Sequence, residues 1–126
     1  MAKIIIADEN FFFARLVANQ LRCKGYEVKV IADNEILLDL LDLDHYDILI
    51  MELLLHGQDG LNLLRTIRSS NFQYLSVIIV THRTSYVEQL RVAELDAQFL
   101  GKPVDLSELL NIVKKLLPEE AIVRNF

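Results

Sequence analysis

The chain has 126 residues, 52% of them hydrophobic, with only four Gly and two Pro. That is one domain's length with enough apolar content for its own core, and it excludes a disordered, collagen-like or low-complexity chain. Eighteen acidic against thirteen basic residues give a net charge of −5, so a cationic footprint for a nucleic-acid backbone is absent.

No basic cluster exceeds the pair Lys114–Lys115, and the single cysteine, Cys23, has no intrachain partner. A lone cysteine fits a reducing compartment. No apolar run approaches the roughly 20 residues that span a bilayer. The expectation is a soluble cytoplasmic domain without a membrane segment.

In chain order, Ile4–Ala7 is a short apolar run and predicts a strand. Phe13, Leu16, Val17 and Leu21 fall at helical spacing, and Gly25 closes that helix. Glu27-Val28-Lys29-Val30-Ile31 alternates polar with apolar, as a half-exposed edge strand does. Asn34 to about Leu43 predicts a second helix. Asp47-Ile48-Leu49-Ile50-Met51 predicts a strand buried on both faces. Gly57-Gln58-Asp59-Gly60 is a turn, and Leu61, Leu64 and Ile67 mark a third helix. Leu75–Val80 is a fourth strand. Ser85-x-x-Glu88 is a capping-box start for a fourth helix. Ala97–Leu100 is a fifth strand, and Asp105-x-x-Glu108 opens an amphipathic helix bearing Leu106, Leu109, Leu110, Val113, Leu116 and Leu117. Pro118 stops it.

Strict strand–helix alternation predicts an α/β fold with a doubly wound parallel sheet. The alternating second strand belongs at an edge, and right-handed crossovers then favour the order 2-1-3-4-5 of flavodoxin-like (βα)5 folds. Residues 1–117 form the domain, and 118–126 are expected to be a tail or the start of a linker. In such folds ligands bind beyond the carboxyl ends of the strands. Those ends carry Asp8 and Glu9, then Glu52, Thr81, and Lys102 followed by Pro103. Packed carboxylates repel unless a cation neutralises them. Mg²⁺ suits hard oxygen ligands shared with phosphate. A hydroxyl and an ammonium opposite them can grip phosphoryl oxygens. Asp8-Glu9-Asn10 in place of a glycine-rich loop argues against a flavodoxin-like cofactor binder.

The quoted motifs are Ile-Ile-Ala-Asp8-Glu9, Asp47-Ile-Leu-Ile-Met-Glu52-Leu, Asp59-Gly60, Val80-Thr81 and Phe99-Leu-Gly-Lys102-Pro103. On these the chain resembles a CheY-like response-regulator receiver domain from Lys3 to about Leu117. The resemblance implies that Asp8 and Glu9 bind Mg²⁺ together with the residue ending strand three. That residue would take a phosphoryl group from a partner's phosphohistidine, Thr81 and Lys102 would grip it, and Thr81 and Phe99 would form the switch.

The chain departs from this pattern at its centre. The phosphoacceptor position holds Glu52 where the family has Asp. One extra methylene moves the carboxylate by about 1.5 Å, and a ~1 Å misplacement costs on the order of 100-fold in rate. Glu52 can instead pair with Lys102 or Thr81 without phosphate. Glu9 also replaces the usual Asp, so Mg²⁺ binding by Asp8, Glu9 and Glu52 is expected to be weak or absent. In the loops, His56 stands where proline is usual, and His82 follows Thr81 where a small residue is usual. Glu52, His56 and His82 together offer a less favoured zinc-type alternative. Phe99 is expected to lie inward. Phe11-Phe12-Phe13 covers most of a helix turn, so Phe11 or Phe12 should be at least partly exposed beside the acidic pair, either as a partner anchor or as a small local hydrophobic staple.

The expected function is that of a non-enzymatic pseudo-receiver in a two-component or phosphorelay system, binding a signalling protein. That partner would be a histidine kinase, a phosphotransferase or an output protein. The alternative is a working receiver that accepts a phosphoryl group with Mg²⁺.

Overall fold

The computed structural model describes residues 1–55 and 58–117. Its elements run β1 (Lys3–Ala7), α1 (Phe11–Cys23), β2 (Glu27–Ile31), α2 (Leu37–Leu43) and β3 (Ile48–Met51). A short hairpin follows, β4 (Leu54–Leu55) and β5 (Gln58–Asp59). Then come α3 (Gly60–Arg68), β6 (Ser76–Thr81), α4 (Tyr86–Glu94), β7 (Gln98–Gly101) and α5 (Leu106–Leu116).

The main sheet is parallel with the order β2-β1-β3-β6-β7. Leaving out the hairpin, this is the 2-1-3-4-5 order expected from the alternation of strand and helix. β1, β3 and β6 are central and almost entirely buried, because both faces carry apolar residues and both are covered. On one face Ile5, Leu49, Met51 and Ile79 pack with Leu37, Leu41, Leu61, Leu64 and Ile67 of α2 and α3. On the other, Ile4, Ile6, Ile48, Ile50 and Ile78 pack with Val17 and Leu21 of α1 and Leu109 and Val113 of α5. Period-2 alternation along each strand feeds two separate cores. Among the described residues no helix is long and apolar enough to cross a membrane.

Four local expectations need correction. First, α2 starts at Leu37, not Asn34. Asp33 accepts a bond from the Glu35 amide at 3.1 Å, and the Asn34 carbonyl accepts one from Leu37. The short acidic side chain thus holds a turn where a helix would start. Second, Leu16 is 53% exposed. The buried stripe of α1 is Ala14, Val17, Ala18 and Leu21, two small residues letting the helix approach the sheet. Third, the segment before Gly60 is partly a hairpin, Leu54 and Leu55 pairing antiparallel with Asp59 and Gln58. Fourth, the capping box at α4 is half made. Ser85 Oγ accepts from the Glu88 amide at 3.2 Å, but the Glu88 carboxylate turns to Arg83 at 2.7 Å. The segment 118–126 lies outside the described residues.

Candidate functional site

The parallel ladders run one residue past the strands and fix the rim. The Asp8 amide donates to Ile31 O, that of Glu52 to Ala7 O, and that of Lys102 to Thr81 O, at 2.8–3.1 Å. Each rim backbone is therefore positioned by sheet register before any side chain is considered.

The structure brings Asp8, Glu52 and Lys102 together. Lys102 Nζ donates to Asp8 Oδ2 at 2.8 Å and to Glu52 Oε1 at 3.3 Å. The three side chains are 6%, 4% and 9% exposed for Lys102, Asp8 and Glu52. The other carboxylate oxygens are also engaged. Asp8 Oδ1 accepts from the Asn10 amide at 2.8 Å, and Glu52 Oε2 from the Leu53 amide at 2.7 Å. Pairing of this kind is what lets charges remain buried, and removing one partner typically costs about 3–5 kcal/mol.

Thr81 is fully buried, and its hydroxyl accepts from the Arg83 amide at 3.1 Å. Pro103 follows Lys102 through a cis peptide bond. Asp59 caps α3, its carboxylate accepting from the Leu61 amide at 3.0 Å. Gly60 donates its amide to Leu53 O and lies so close that a Cβ would sit 2.6 Å from that oxygen. The Asp59-Gly60 turn thus clamps the backbone directly after Glu52. Phe99 is partly buried and packs against the core that contains Ile79 and Val92.

Glu9 is exposed, and among the described residues no three acidic, His or Cys side chains are grouped to hold a metal ion. The trio Asp8, Glu9 and Glu52 is therefore not gathered as a ligand set, because Asp8 and Glu52 converge on Lys102 instead. His82 is exposed, and His56 lies outside the described residues. Phe11 and Phe12 are 59% and 86% exposed, their rings edge-to-face at 6.4 Å, with the Arg15 guanidinium 5.7 Å from the Phe11 ring.

Two residues escaped the sequence reading. The Phe13 ring lies 4.7 Å from Lys102 Nζ, a distance at which the ring face attracts a cation. Helical spacing marked Phe13 only as apolar, and nothing local links it to a lysine at the other end of the chain. Arg83 joins Glu88 at 2.7 Å and approaches Asp59 at 3.9 Å. Its place two residues after Thr81 was the available signal.

The profile of the response regulator receiver domain matches residues 4–114. Response regulator MprA of Mycobacterium bovis is 32% identical over 126 residues, covering 94% of this chain and 54% of that protein. MprA of Mycolicibacterium vanbaalenii is 32% identical over 118 residues, covering 91% and 50%. The chain thus spans about half the length of these curated relatives. In fold, it superposes on the receiver domain of a Francisella response regulator with a TM-score of 0.85 at 24% identity, covering 92% of this chain and 96% of that one. It matches Thermotoga maritima TrrA, solved with Mg²⁺ and BeF, with a TM-score of 0.81 at 26% identity, covering 93% and 100%. With the sheet order and the acid–lysine rim in place, the profile match settles the family: this chain is a member of the response-regulator receiver domains, the CheY-like signalling modules of two-component systems.

Proposed function

We propose that this receiver acts without phosphorylation, as a protein-interaction module of a two-component or phosphorelay system. The observation that carries the reading is Glu52. Its carboxylate stands at the phosphoacceptor position, buried, with Oε1 on Lys102 and Oε2 on the Leu53 amide. In the family the lysine grips a phosphoryl oxygen. Here a carboxylate oxygen carried by the longer side chain already engages it. A nucleophile also needs a free lone pair aimed at phosphorus, and misplacement by ~1 Å costs about 100-fold in rate.

Receiver domains bind Mg²⁺ at the phosphorylation site. The residues here do not fit that ion as they are arranged. The Lys102 ammonium already stands between the two carboxylates, donating to Asp8 Oδ2 at 2.8 Å and to Glu52 Oε1 at 3.3 Å.

The partner is a signalling protein, whether a histidine kinase, a phosphotransferase or an output protein. Two surfaces are offered for it. One is the exposed Phe11–Phe12 end of α1. The other is the face of α4, β7 and α5, where Tyr86, Val87 and Leu90 are exposed.

Intact mass after incubation with acetyl phosphate and Mg²⁺ tests the proposal, with Glu52→Asp run alongside. The native chain is expected to stay unmodified while Glu52→Asp gains one phosphoryl group. A phosphoryl group on the native chain, acid-stable and base-labile, would establish the working-receiver alternative in its place.

A further inference from the structure

The Lys102 ammonium is closed in by groups that suit it. Asp8 Oδ2 and Glu52 Oε1 accept from it at 2.8 and 3.3 Å, and the Phe13 ring lies 4.7 Å away. We infer that Lys102 is the resident cation of this rim and excludes divalent metals from it, with Phe13 as the positioning residue that holds the ammonium in place. The inference deepens the reading above and rests on it only in taking Glu52 as the carboxylate that faces Lys102.

The reasons are geometric and electrostatic. Mg²⁺ binds oxygen at about 2.0–2.1 Å in a near-ideal octahedron and keeps several waters. Nζ already holds Asp8 Oδ2 and Glu52 Oε1 at 2.8 and 3.3 Å, so an ion taking both oxygens would have to sit beside a like charge. The remaining carboxylate oxygens are turned to the Asn10 and Leu53 amides, which fixes both groups in the orientation that serves the lysine. The Phe13 ring face carries negative quadrupole density that suits an ammonium, while its carbon surface offers nothing to a metal's bound water. Metal entry would therefore require Lys102 to leave two acceptors and a ring at once.

Mn²⁺ titration of the full chain, followed by water-proton relaxation, tests the inference on the native protein, Lys102→Met and Phe13→Leu. The native chain is expected to show no saturable binding at low millimolar Mn²⁺. Lys102→Met should gain affinity by about tenfold or more, and Phe13→Leu by a smaller factor. A native chain that binds Mn²⁺ as tightly as Lys102→Met overturns the inference, and so does failure of both variants to gain affinity.

If Lys102→Met does not fold, amine acylation of the native chain gives an independent readout by peptide mass. Lys102 should be the slowest lysine to label, unchanged by Mg²⁺ and faster in Phe13→Leu. Acceleration of its labelling by Mg²⁺ would mean that metal displaces the ammonium, and the inference falls. These readouts follow cation binding, not phosphoryl transfer, so this inference and the proposed function can fail separately.

Discussion

Arg68 shows how much one side chain can organise. Its Nε donates to Leu95 O at 2.7 Å, Nη1 to Leu75 O at 2.6 Å and Gln73 O at 3.0 Å, and Nη2 to Asp96 O at 2.9 Å. It therefore ties the end of α4 to the approach to β6. Burial pulls its guanidinium below the usual value, yet it stays protonated across the working range. Arg68→Ala should destabilise the domain by about 1–3 kcal/mol, since part-buried carbonyls lose their donors. Arg68→Lys should recover only part of that, because an ammonium lacks the planar fork. Urea denaturation of both variants checks this.

Gly60 is the second such residue. An added Cβ would meet Leu53 O at 2.6 Å and Leu53 Cα at 2.8 Å. Gly60→Ala should cost about 1–3 kcal/mol through overpacking, read as a lower thermal midpoint. Neither cost is written locally in the sequence. Arg68 looks like one more charge at a helix end, and Gly60 looks like an ordinary turn glycine. Asp8, Glu52, Thr81 and Lys102 were legible for the opposite reason: a strand's carboxyl end can be located from apolar run length alone. That Asp8 and Glu52 turn to Lys102, and that Phe13 backs it, depends on contacts across the whole chain.

Between elements, Lys3 at the start of β1 is tied to Asp44 at the end of α2 by a close side-chain bond, with Glu27 of β2 at 3.7 Å. The bond to Lys3, helped by the His45 amide, holds the Asp44 carboxyl below its usual value, and the same bond raises Lys3. The signs are opposite for the two groups. Asp44's contribution is present above its unfolded pKa and is lost as pH falls through its lower folded value. Lys3's contribution is present below its unfolded pKa and is lost as pH rises through its raised folded value. The stability difference between the native chain and Asp44→Asn should therefore be small but present at neutral pH. It should vanish in strong acid and strong base and shrink with added salt, as expected of an exposed pair. Urea midpoints across pH measure it. At this scale the sequence is legible in period but not in boundary. The β2 alternation from Glu27 to Ile31 is a local fact, and the strand has those ends. The first turn of α2 was lost to Asp33, and the β4–β5 hairpin has two residues per strand, too few for any periodicity.

For the whole molecule, the sheet order followed from one edge strand, three buried strands and the handedness of crossovers, none of which needs side-chain detail. What sequence could not supply is the closure of the rim. Asp8 and Lys102 are 94 positions apart, and Glu52 and Lys102 are 50 apart. The last strand–helix unit therefore brings more than β7 and α5 to the fold. It delivers the counter-charge for two carboxylates that belong to units completed earlier in the chain. A partly folded chain lacking that unit would keep Asp8 and Glu52 side by side with nothing between them, and two unbalanced negative charges resist being dried. The rim is thus complete only once Lys102, carried just past β7, reaches the two carboxylates that follow β1 and β3.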